Sequence, residues 1–285
     1  MPNSLGSCTM SRDVLDIDSY LARIGYDGPV GAPPTLETLG RIQMCHACSI
    51  PFENIDVLLG KQIKLEMADV QQKLIVDKRG GYCFEQNGLM LSVLETLEYE
   101  VVGLSGRVRV GRERDFTPPR THLFAKVMLD GVPWLVDVGV GGMTPTRPLR
   151  MDTDEPQETL HDTRRIIQGE DSNGLARWFH QVLIGDDWQD VCEFSGEWMP
   201  QMDRGIGNWW TSTNPESKFR QNIMGAMAIA DGSRHSLSTN QYVRRSAGVV
   251  LEKIDIATSE QMIRVLADRF GIELPADTVF GIEGL

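Results

Sequence analysis

The residues best suited to chemistry begin with a cysteine at the start of a predicted helix. Cys83 follows the pair Gly80-Gly81, which lets the backbone turn sharply and lets another segment approach closely. Beyond it, apolar residues at helical spacing form one stripe: Met90, Val93, Leu94 and Leu97. The free amides and positive dipole end of a helix start favour a thiolate and suit a developing oxyanion. Cys83 is therefore a candidate nucleophile, although an inert buried cysteine would look the same in sequence.

A second stretch supplies a candidate base and a group to orient it. Two alternating, β-prone runs flank Asp130-Gly131, which predicts a hairpin with a two-residue turn. In that register Leu129 faces Val132, and His122 and Asp137 share one face as diagonal neighbours, their Cα atoms roughly 7 Å apart. A thiol, an imidazole and a carboxylate are the nucleophile, base and orienting group of covalent acyl transfer. The competing interpretation is a surface histidine that never meets the cysteine.

Several motifs of the chain resemble those of the arylamine N-acetyltransferases of the bacterial type, in the same order. They are Pro51-Phe52-Glu53-Asn54 with Asp56 after it, the stretch from Arg79 to Asn87, Arg120-Thr121-His122, and Val136-Asp137-Val138-Gly139. The resemblance covers nearly the whole chain. It implies that Cys83 accepts an acetyl group from acetyl-CoA, that His122 deprotonates the thiol, and that Asp137 orients His122.

Further site residues are implied by the same resemblance. Thr121 and Gly141 match positions beside the acyl donor and are candidates for contact with coenzyme A. Glu53 and Arg79 match a buried supporting ion pair. Val140 stands where the family usually has phenylalanine, so the acceptor pocket would be reshaped if that position forms its wall.

The activity that the resemblance implies is N-acetylation of arylamines and arylhydrazines by a ping-pong mechanism through an acetyl-cysteine. Acetyl-CoA is the co-substrate, and no metal is needed. Three other interpretations stay open. They are a cysteine hydrolase or transglutaminase-like enzyme, an amide synthase with a carrier-bound acyl donor, and an inactive small-molecule binding protein. The last would not need to retain all three candidate residues.

The sequence predicts an α+β fold: an N-terminal helical bundle, a central β-barrel and a C-terminal α/β lid, holding a cysteine-protease-like Cys-His-Asp triad. The predicted division is 1–97 with the cysteine, 98–205 with the histidine and aspartate, 206–225 as an interdomain segment, and 226–285 as the lid. Predicted helices cover 16–24, 35–51, 69–76, the segment after Cys83, and 259–270, the last with a capping box at Thr258 and Gln261 and a stop at Gly271. Besides the hairpin, predicted strands cover 101–104, 107–110, 164–167, 178–183, 226–230, 241–245 and 249–254.

Composition narrows the function classes. The 285 residues include 28 basic and 40 acidic side chains, a net charge of −12, which argues against nucleic acid or an anionic membrane as main partner. The first residues lack the basic and apolar blocks of a secretory signal, and residues 1 to about 12 are expected to be a disordered lead. Five cysteines without a disulfide-like framework fit a reducing cytoplasm. The sequence leaves the oligomeric state open and permits a homo-oligomer.

Three other features have competing interpretations. Cys45 and Cys48 form a Cys-x-x-Cys pair in a predicted helix, but no second ligand pair follows, so core packing is favoured over metal or redox chemistry. The arginine cluster from Arg107 to Arg120 either meets the phosphates of coenzyme A or is a solvated hairpin. Trp209-Trp210 is expected to lie in the core.

Overall fold

The computed structural model describes residues 15–29 and 33–282, so the predicted lead of residues 1–12 lies outside the described residues. The helices in this part of the chain are α1 (Ile17–Arg23), α2 (Leu36–Ser49), α3 (Ile55–Leu58), α4 (Met67–Gln71), α5 (Cys83–Thr96), α6 (Gln201–Thr213), α7 (Lys218–Gln221) and α8 (Ser259–Phe270). A π-helical turn, Gln72–Val76, continues α4, and a 3₁₀ turn covers Gly141–Met143. None of these helices has the length and apolar character needed to cross a membrane.

The strands form two antiparallel sheets. They are β1 (Phe52–Glu53), β2 (Glu100–Val108), β3 (His122–Leu129), β4 (Val132–Val136), β5 (Leu149–Arg150), β6 (Gln157–Glu158), β7 (Thr163–Glu170), β8 (Ala176–Ile184), β9 (Asp187–Trp198), β10 (Met224–Ala228), β11 (Ser233–Ser238), β12 (Gln241–Ser246) and β13 (Val249–Asp255). One sheet has the order β5-β4-β3-β2-β9-β8-β7-β6, and the other has the order β1-β10-β11-β12-β13. The mixed helix and sheet character that the sequence predicts is confirmed.

The eight-stranded sheet curls into a nearly closed barrel. Its two edge strands meet through Gln157, whose Oε1 accepts from the Arg150 amide at 2.7 Å and whose Nε2 donates to the Arg150 carbonyl at 3.0 Å. The segments 101–104 and 107–110 are predicted as two strands, but residues 101–108 belong to the single strand β2, because its pairing with β3 and β9 continues without a turn. Residues 109–110 lie beyond the end of β2. The interior holds a small apolar cluster that includes Phe124 and Phe194.

The predicted hairpin joins β3 to β4. Leu129 pairs with Val132, and the two-residue turn between them has positive φ at Asp130 (52°) and Gly131 (75°). Such a turn matches the right-handed twist of the strands, and an aspartate-glycine pair tolerates it well. The register therefore follows the prediction, and the ladder ends at Val136, one residue before Asp137.

Helix α5 lies against the barrel, and its apolar stripe is buried in the largest core cluster. Met90, Val93 and Leu94 have no exposed surface, and the cluster also takes residues from α1, α2 and β3. The predicted helix and its buried face are confirmed. Because α5 packs on β3, the start of the helix lies beside the strand that begins with His122.

The second sheet combines distant parts of the chain. Its edge strand β1 lies in the region predicted as helical, and it pairs with β10, with Phe52 opposite Ala226. Strand β11 was not predicted from the sequence. Helix α8 begins after Thr258, which accepts from the Gln261 amide, and ends at Gly271 with φ 66°, as expected.

Two predicted domain boundaries fall inside elements. The boundary at 205 lies within α6, and the boundary at 225 lies within β10. The division into domains stays a prediction. The expectation that Trp209 lies in the core is wrong, because its side chain is exposed, and Trp210 is only half-buried.

Candidate active site

The start of α5 is built by close backbone packing. A Cβ on Gly80 would lie 2.0 Å from the carbonyl oxygen of Pro51, so only glycine fits there. Glu85 turns back toward the helix start, and its Oε2 accepts from the Tyr82 amide at 3.1 Å. These contacts hold Cys83 as the first residue of α5, where the helix dipole is positive.

His122 and Asp137 form a buried ion pair. His122 Nε2 donates to Asp137 Oδ2 at 2.7 Å, and both side chains are almost fully buried. Burial alone would lower the pKa of His122, but the charge and the hydrogen bond of Asp137 outweigh it and raise the pKa to about 10. The same pairing lowers the pKa of Asp137 despite its burial. The imidazole is therefore held in its protonated form around neutral pH.

Cys83 lies next to this pair. Its Sγ is 3.5 Å from the carbonyl oxygen of Thr121, and its interaction with the imidazole contributes to the raised pKa of His122. Since Asp137 occupies Nε2, Nδ1 is the ring nitrogen left for the sulfur. The structure thus brings together the three residues that the sequence singles out.

The backbone of Gly139, which follows strand β4, lies directly against the backbone of Cys83. A Cβ on Gly139 would lie 2.7 Å from the Cα of Cys83 and 2.7 Å from Nδ2 of Asn87. The Gly139 amide also donates to Asp137 Oδ1 at 2.9 Å. A glycine here lets the hairpin and α5 approach at backbone distance.

Asn87 is the last residue of the motif around Cys83, and the sequence predicts no role for it. In the structure its side chain makes three hydrogen bonds. Its Nδ2 donates to Asp137 Oδ1 at 2.9 Å and to the Leu123 carbonyl at 2.7 Å, and its Oδ1 accepts from the Val138 amide at 2.9 Å. The signal in the sequence was the spacing of four residues from Cys83, which places both side chains on one helical face.

A cluster of buried charges supports the helix start from the other side. Arg79 Nη2 pairs with Glu53 Oε1 at 2.7 Å, which confirms the ion pair that the family resemblance implied. Lys73 Nζ donates to Glu85 Oε1 at 2.7 Å. The carboxylate of Asp56 pairs with both Lys73 and Arg79. Burial works against ionisation of Asp56, but the two cations lower its pKa to about 2.

The comparisons with known proteins agree with this geometry. A family model described as N-acetyltransferase matches residues 35–279. The arylamine N-acetyltransferase of Mycobacterium tuberculosis is 39% identical over 264 residues, which cover 91% of this chain and 90% of the relative. The chain belongs to the arylamine N-acetyltransferase family. It is accordingly an acyltransferase.

Other members support the assignment. The arylamine N-acetyltransferase of Escherichia coli is 34% identical over 256 residues, covering 90% of this chain and 88% of that protein. The structure of the Mycobacterium marinum arylamine N-acetyltransferase in complex with CoA has a TM-score of 0.83 and 37% identity, covering 90% of this chain and 93% of that one.

The two residues that the family resemblance implied for contact with coenzyme A have different neighbours. Thr121 is half-buried, and its carbonyl accepts from the thiol. Gly141 has φ 71°, and a Cβ there would touch the ring of Phe52 at 3.4 Å. Contact of either residue with coenzyme A stays a prediction.

Val140, the departure from the family pattern, is buried in a small cluster with Val182 and Val191 on strands β8 and β9. Met143, half-buried, packs against the same cluster. The side chain therefore packs against barrel strands.

The arginine cluster is largely paired with carboxylates of β9. Arg109 Nε and Arg107 both contact Glu193, and Arg114 forms two hydrogen bonds with Asp190. Arg120 pairs with Glu197. These pairs account for most of the cluster, and contact of its arginines with the phosphates of coenzyme A stays a prediction.

Cys45 and Cys48 are both free and half-buried, and Cys45 packs against the main core, as expected. Among residues 15–29 and 33–282, no group of three or more histidine, cysteine, aspartate or glutamate side chains is placed to hold a metal ion.

A cavity of about 420 Å³ opens beside Thr121, between β2 and α6. Its walls include Arg107, Arg120, Ile206 and Trp210. Gly207 lies between this cavity and the nucleophile's helix, because a Cβ there would meet the ring of Phe84 at 2.6 Å. Sequence reasoning did not find this cavity, since α6 comes more than a hundred residues after α5.

Proposed function

We propose that this protein transfers an acetyl group from acetyl-CoA to the nitrogen of an arylamine or arylhydrazine, by a ping-pong mechanism through an acetyl-cysteine on Cys83. The observation that carries the proposal is the arrangement around His122, whose Nε2 lies 2.7 Å from Asp137 Oδ2 and whose pKa is raised by both Asp137 and the neighbouring Cys83. An imidazole held between a carboxylate and a thiol can take and return one proton, which covalent acyl transfer needs twice.

The first half-reaction starts with the proton of the Cys83 thiol already on His122, because the raised pKa of the histidine favours the imidazolium. The thiolate attacks the carbonyl carbon of the thioester, and a new carbon–sulfur bond forms to Cys83. The amides at the start of α5 face the developing oxyanion. The bond between the acetyl carbon and the sulfur of CoA then breaks, and the departing thiolate receives the proton from His122.

In the second half-reaction the amine attacks the acetyl-cysteine. A carbon–nitrogen bond forms, His122 accepts a proton from the nitrogen, and the carbon–sulfur bond to Cys83 breaks. The sulfur leaves as thiolate and His122 keeps the proton, so the products are the N-acetylated amine and the original pair of thiolate and imidazolium. Asp137 stabilises the imidazolium that exists during both steps.

Acetyl-CoA is supported as donor by the Mycobacterium marinum relative, whose structure contains CoA. A cytoplasmic location is supported by the thiols, because the four cysteines of the described residues are all free. The acceptor class is supported by the names of the relatives, which are arylamine N-acetyltransferases.

The test is release of CoA from acetyl-CoA by the purified protein, with and without an arylamine, together with the mass of the intact protein. We expect amine-dependent turnover, and a single acetyl adduct on Cys83 when the amine is omitted. Cys83→Ala should lose both. Cys48→Ala, which removes a half-buried thiol away from the site, should keep both.

The remaining alternatives give different results. A hydrolase would release acetate at the same rate without amine. An amide synthase would leave acetyl-CoA intact and form the adduct only with an acyl group on a carrier. A binding protein would form no adduct with either donor. Each of these outcomes would overturn the proposal.

A further inference from the structure

Helix α6 presents its apolar face to solvent. The exposed fractions along one stripe are 62% for Trp198, 75% for Met202, 61% for Ile206 and 65% for Trp209. Trp198 ends β9, and the other three follow at intervals of four and three residues, which places them on one helical face. The opposite face, buried against the domain, carries polar Asn208 and Thr211. This is the reverse of the usual surface helix, whose apolar face lies inward.

The helix is held in this orientation and cannot roll to bury the stripe. The side chain of Asn208 accepts from the hydroxyl of Tyr82 and donates to the Ile63 carbonyl at 2.9 Å. Gly207 lies against Phe84 so closely that a Cβ would come within 2.6 Å of the ring. Because Tyr82 and Phe84 flank Cys83, rotation of α6 would disturb the start of α5.

A glycine lies at the edge of the exposed stripe, and no contact within the described residues requires it to be glycine. Gly205 is within α6 and is exposed, and a Cβ there would meet no atom within 4 Å beyond the helix's own backbone. Glycine is among the least favourable residues in a helix interior. Met202, three residues before it, and Trp209, four residues after it, are its neighbours on the helix surface. A missing side chain beside an apolar stripe lets a second helix approach closely.

We propose that this face binds the same face of a second copy of the chain, with α6 crossing its counterpart at Gly205. The four side chains leave on the order of 500 Å² exposed, a large part of the roughly 800 Å² that each partner contributes to an interface of standard size. A two-fold contact between identical faces buries this face on both copies.

The charges around the stripe suit a second copy. Arg120 and Glu197, both exposed, pair with each other, and the exposed Asp203 lies with Arg120 and Ile206 around one cavity. These three groups sum to a single negative charge, so two copies can approach here although each carries a net charge of −12. In a two-fold contact Arg120 can face Asp203 of the other copy. An anionic lipid surface would find no excess of positive charge on this rim.

The test is sedimentation velocity over a range of protein concentrations. We expect a reversible dimer for the wild type. Ile206→Glu places two carboxylates in the interface and should weaken the dimer by at least about 100-fold. Leu175→Glu is the matched control, because Leu175 is 53% exposed in the turn between β7 and β8, and it should leave the dimer unchanged.

The variant Gly205→Ala distinguishes an effect on the dimer interface from an effect on the stability of helix α6. In the Ile206→Glu background, where we expect monomers, alanine should raise the melting temperature because it favours the helix. In the wild-type background the same substitution should weaken the dimer, since two methyl groups enter the crossing. If the substitution acts only on the helix, it will raise the melting temperature of both the wild type and Ile206→Glu. That result would overturn the proposal.

Other results would also overturn it. A wild type that stays monomeric at the highest soluble concentration excludes the dimer, and a dimer that Ile206→Glu leaves intact uses another surface. Vesicles of phosphatidylcholine test whether the stripe binds lipid instead of a second copy. Binding of a monomeric wild type to them, lost in Ile206→Glu, would make the stripe a lipid-binding face. None of these results depends on acetyl transfer.

Discussion

Asn87 donates to Asp137 Oδ1 at 2.9 Å, and this hydrogen bond ties the helix of Cys83 to the carboxylate that holds His122. Because Asn87 also bonds the backbone of Leu123 and Val138, it joins α5 to β3 and to the segment that follows β4. The relative position of the thiol and the imidazole thus depends on a side chain outside the candidate triad. We call Asn87 a positioning residue.

Replacing Asn87 tests this role. Asn87→Ala leaves Leu123 O and Val138 N–H buried without their partner, so we expect the free energy of unfolding to fall by about 2 kcal/mol or more. It also frees Asp137, and we expect kcat/KM for acetyl transfer to fall about 100-fold. Urea unfolding and steady-state rates measure the two effects.

Asn54→Ala is the control for that experiment. Asn54 is also buried and makes three hydrogen bonds, to Phe219 O, Asn222 O and the Met224 amide, away from Asp137. We expect Asn54→Ala to lower the free energy of unfolding by a similar amount. It should change the pH profile and the kcat of acetyl transfer less than Asn87→Ala does. Equal kinetic losses in both variants would reduce Asn87 to a general structural residue.

The raised pKa of His122 predicts a pH dependence of stability. The folded protein holds the proton up to about pH 10, whereas an ordinary histidine releases it near 6.5. The resulting stabilisation is complete below pH 6.5 and is lost as the pH rises through 10. The lowered pKa of Asp137 keeps that group ionised throughout this window, since its contribution is lost only below 3.8.

The measurement is the unfolding free energy of the wild type minus that of His122→Gln, at several pH values from 6 to 10. The subtraction cancels groups that titrate in both proteins. We expect the difference to shrink with a slope approaching 1.4 kcal/mol per pH unit, an order-of-magnitude figure. His235→Gln is the control. Burial lowers the pKa of His235, so its contribution is lost as the pH falls, and no decline should appear above pH 7.

Much of this geometry was accessible from sequence, because it rests on local rules. The two-residue turn at Asp130-Gly131 sets the register of β3 and β4, and the register puts His122 and Asp137 on one face. The spacing after Cys83 similarly predicts α5. These features need no knowledge of distant contacts.

Other features depend on contacts between distant segments, and sequence reasoning missed them. Trp209 was expected inside because tryptophan is usually buried, but Asn208 meets Tyr82 and turns the tryptophan outward. Strand β11 (Ser233–Ser238) has few apolar or β-branched residues, and its pairing with β10 and β12 decides its structure. Strand β1 is extended because β10 lies beside it.

The contact between Gly139 and Cys83 predicts a steric effect. Gly139→Ala would place a methyl group 2.7 Å from the Cα of Cys83, and backbone must move to accommodate it. We expect kcat/KM to fall about 100-fold, with slower formation of the acetyl adduct. Gly142→Ala is the matched control, because its Cβ would lie 4.0 Å from Ala226, and it should be nearly neutral. Unchanged adduct formation in Gly139→Ala would contradict the role given to this close approach.

The burial of Val140 predicts what the phenylalanine of the family pattern would do here. Val140→Phe enlarges a side chain that already packs against Val182 and Val191, so we expect the free energy of unfolding to fall by about 1–3 kcal/mol. Val140→Ile adds one methylene group and should cost less. Because the side chain packs against barrel strands, KM values for small and bulky arylamines should keep their ratio within about twofold. A KM that rises only for bulky amines, without loss of stability, would instead place position 140 in the wall of the acceptor pocket.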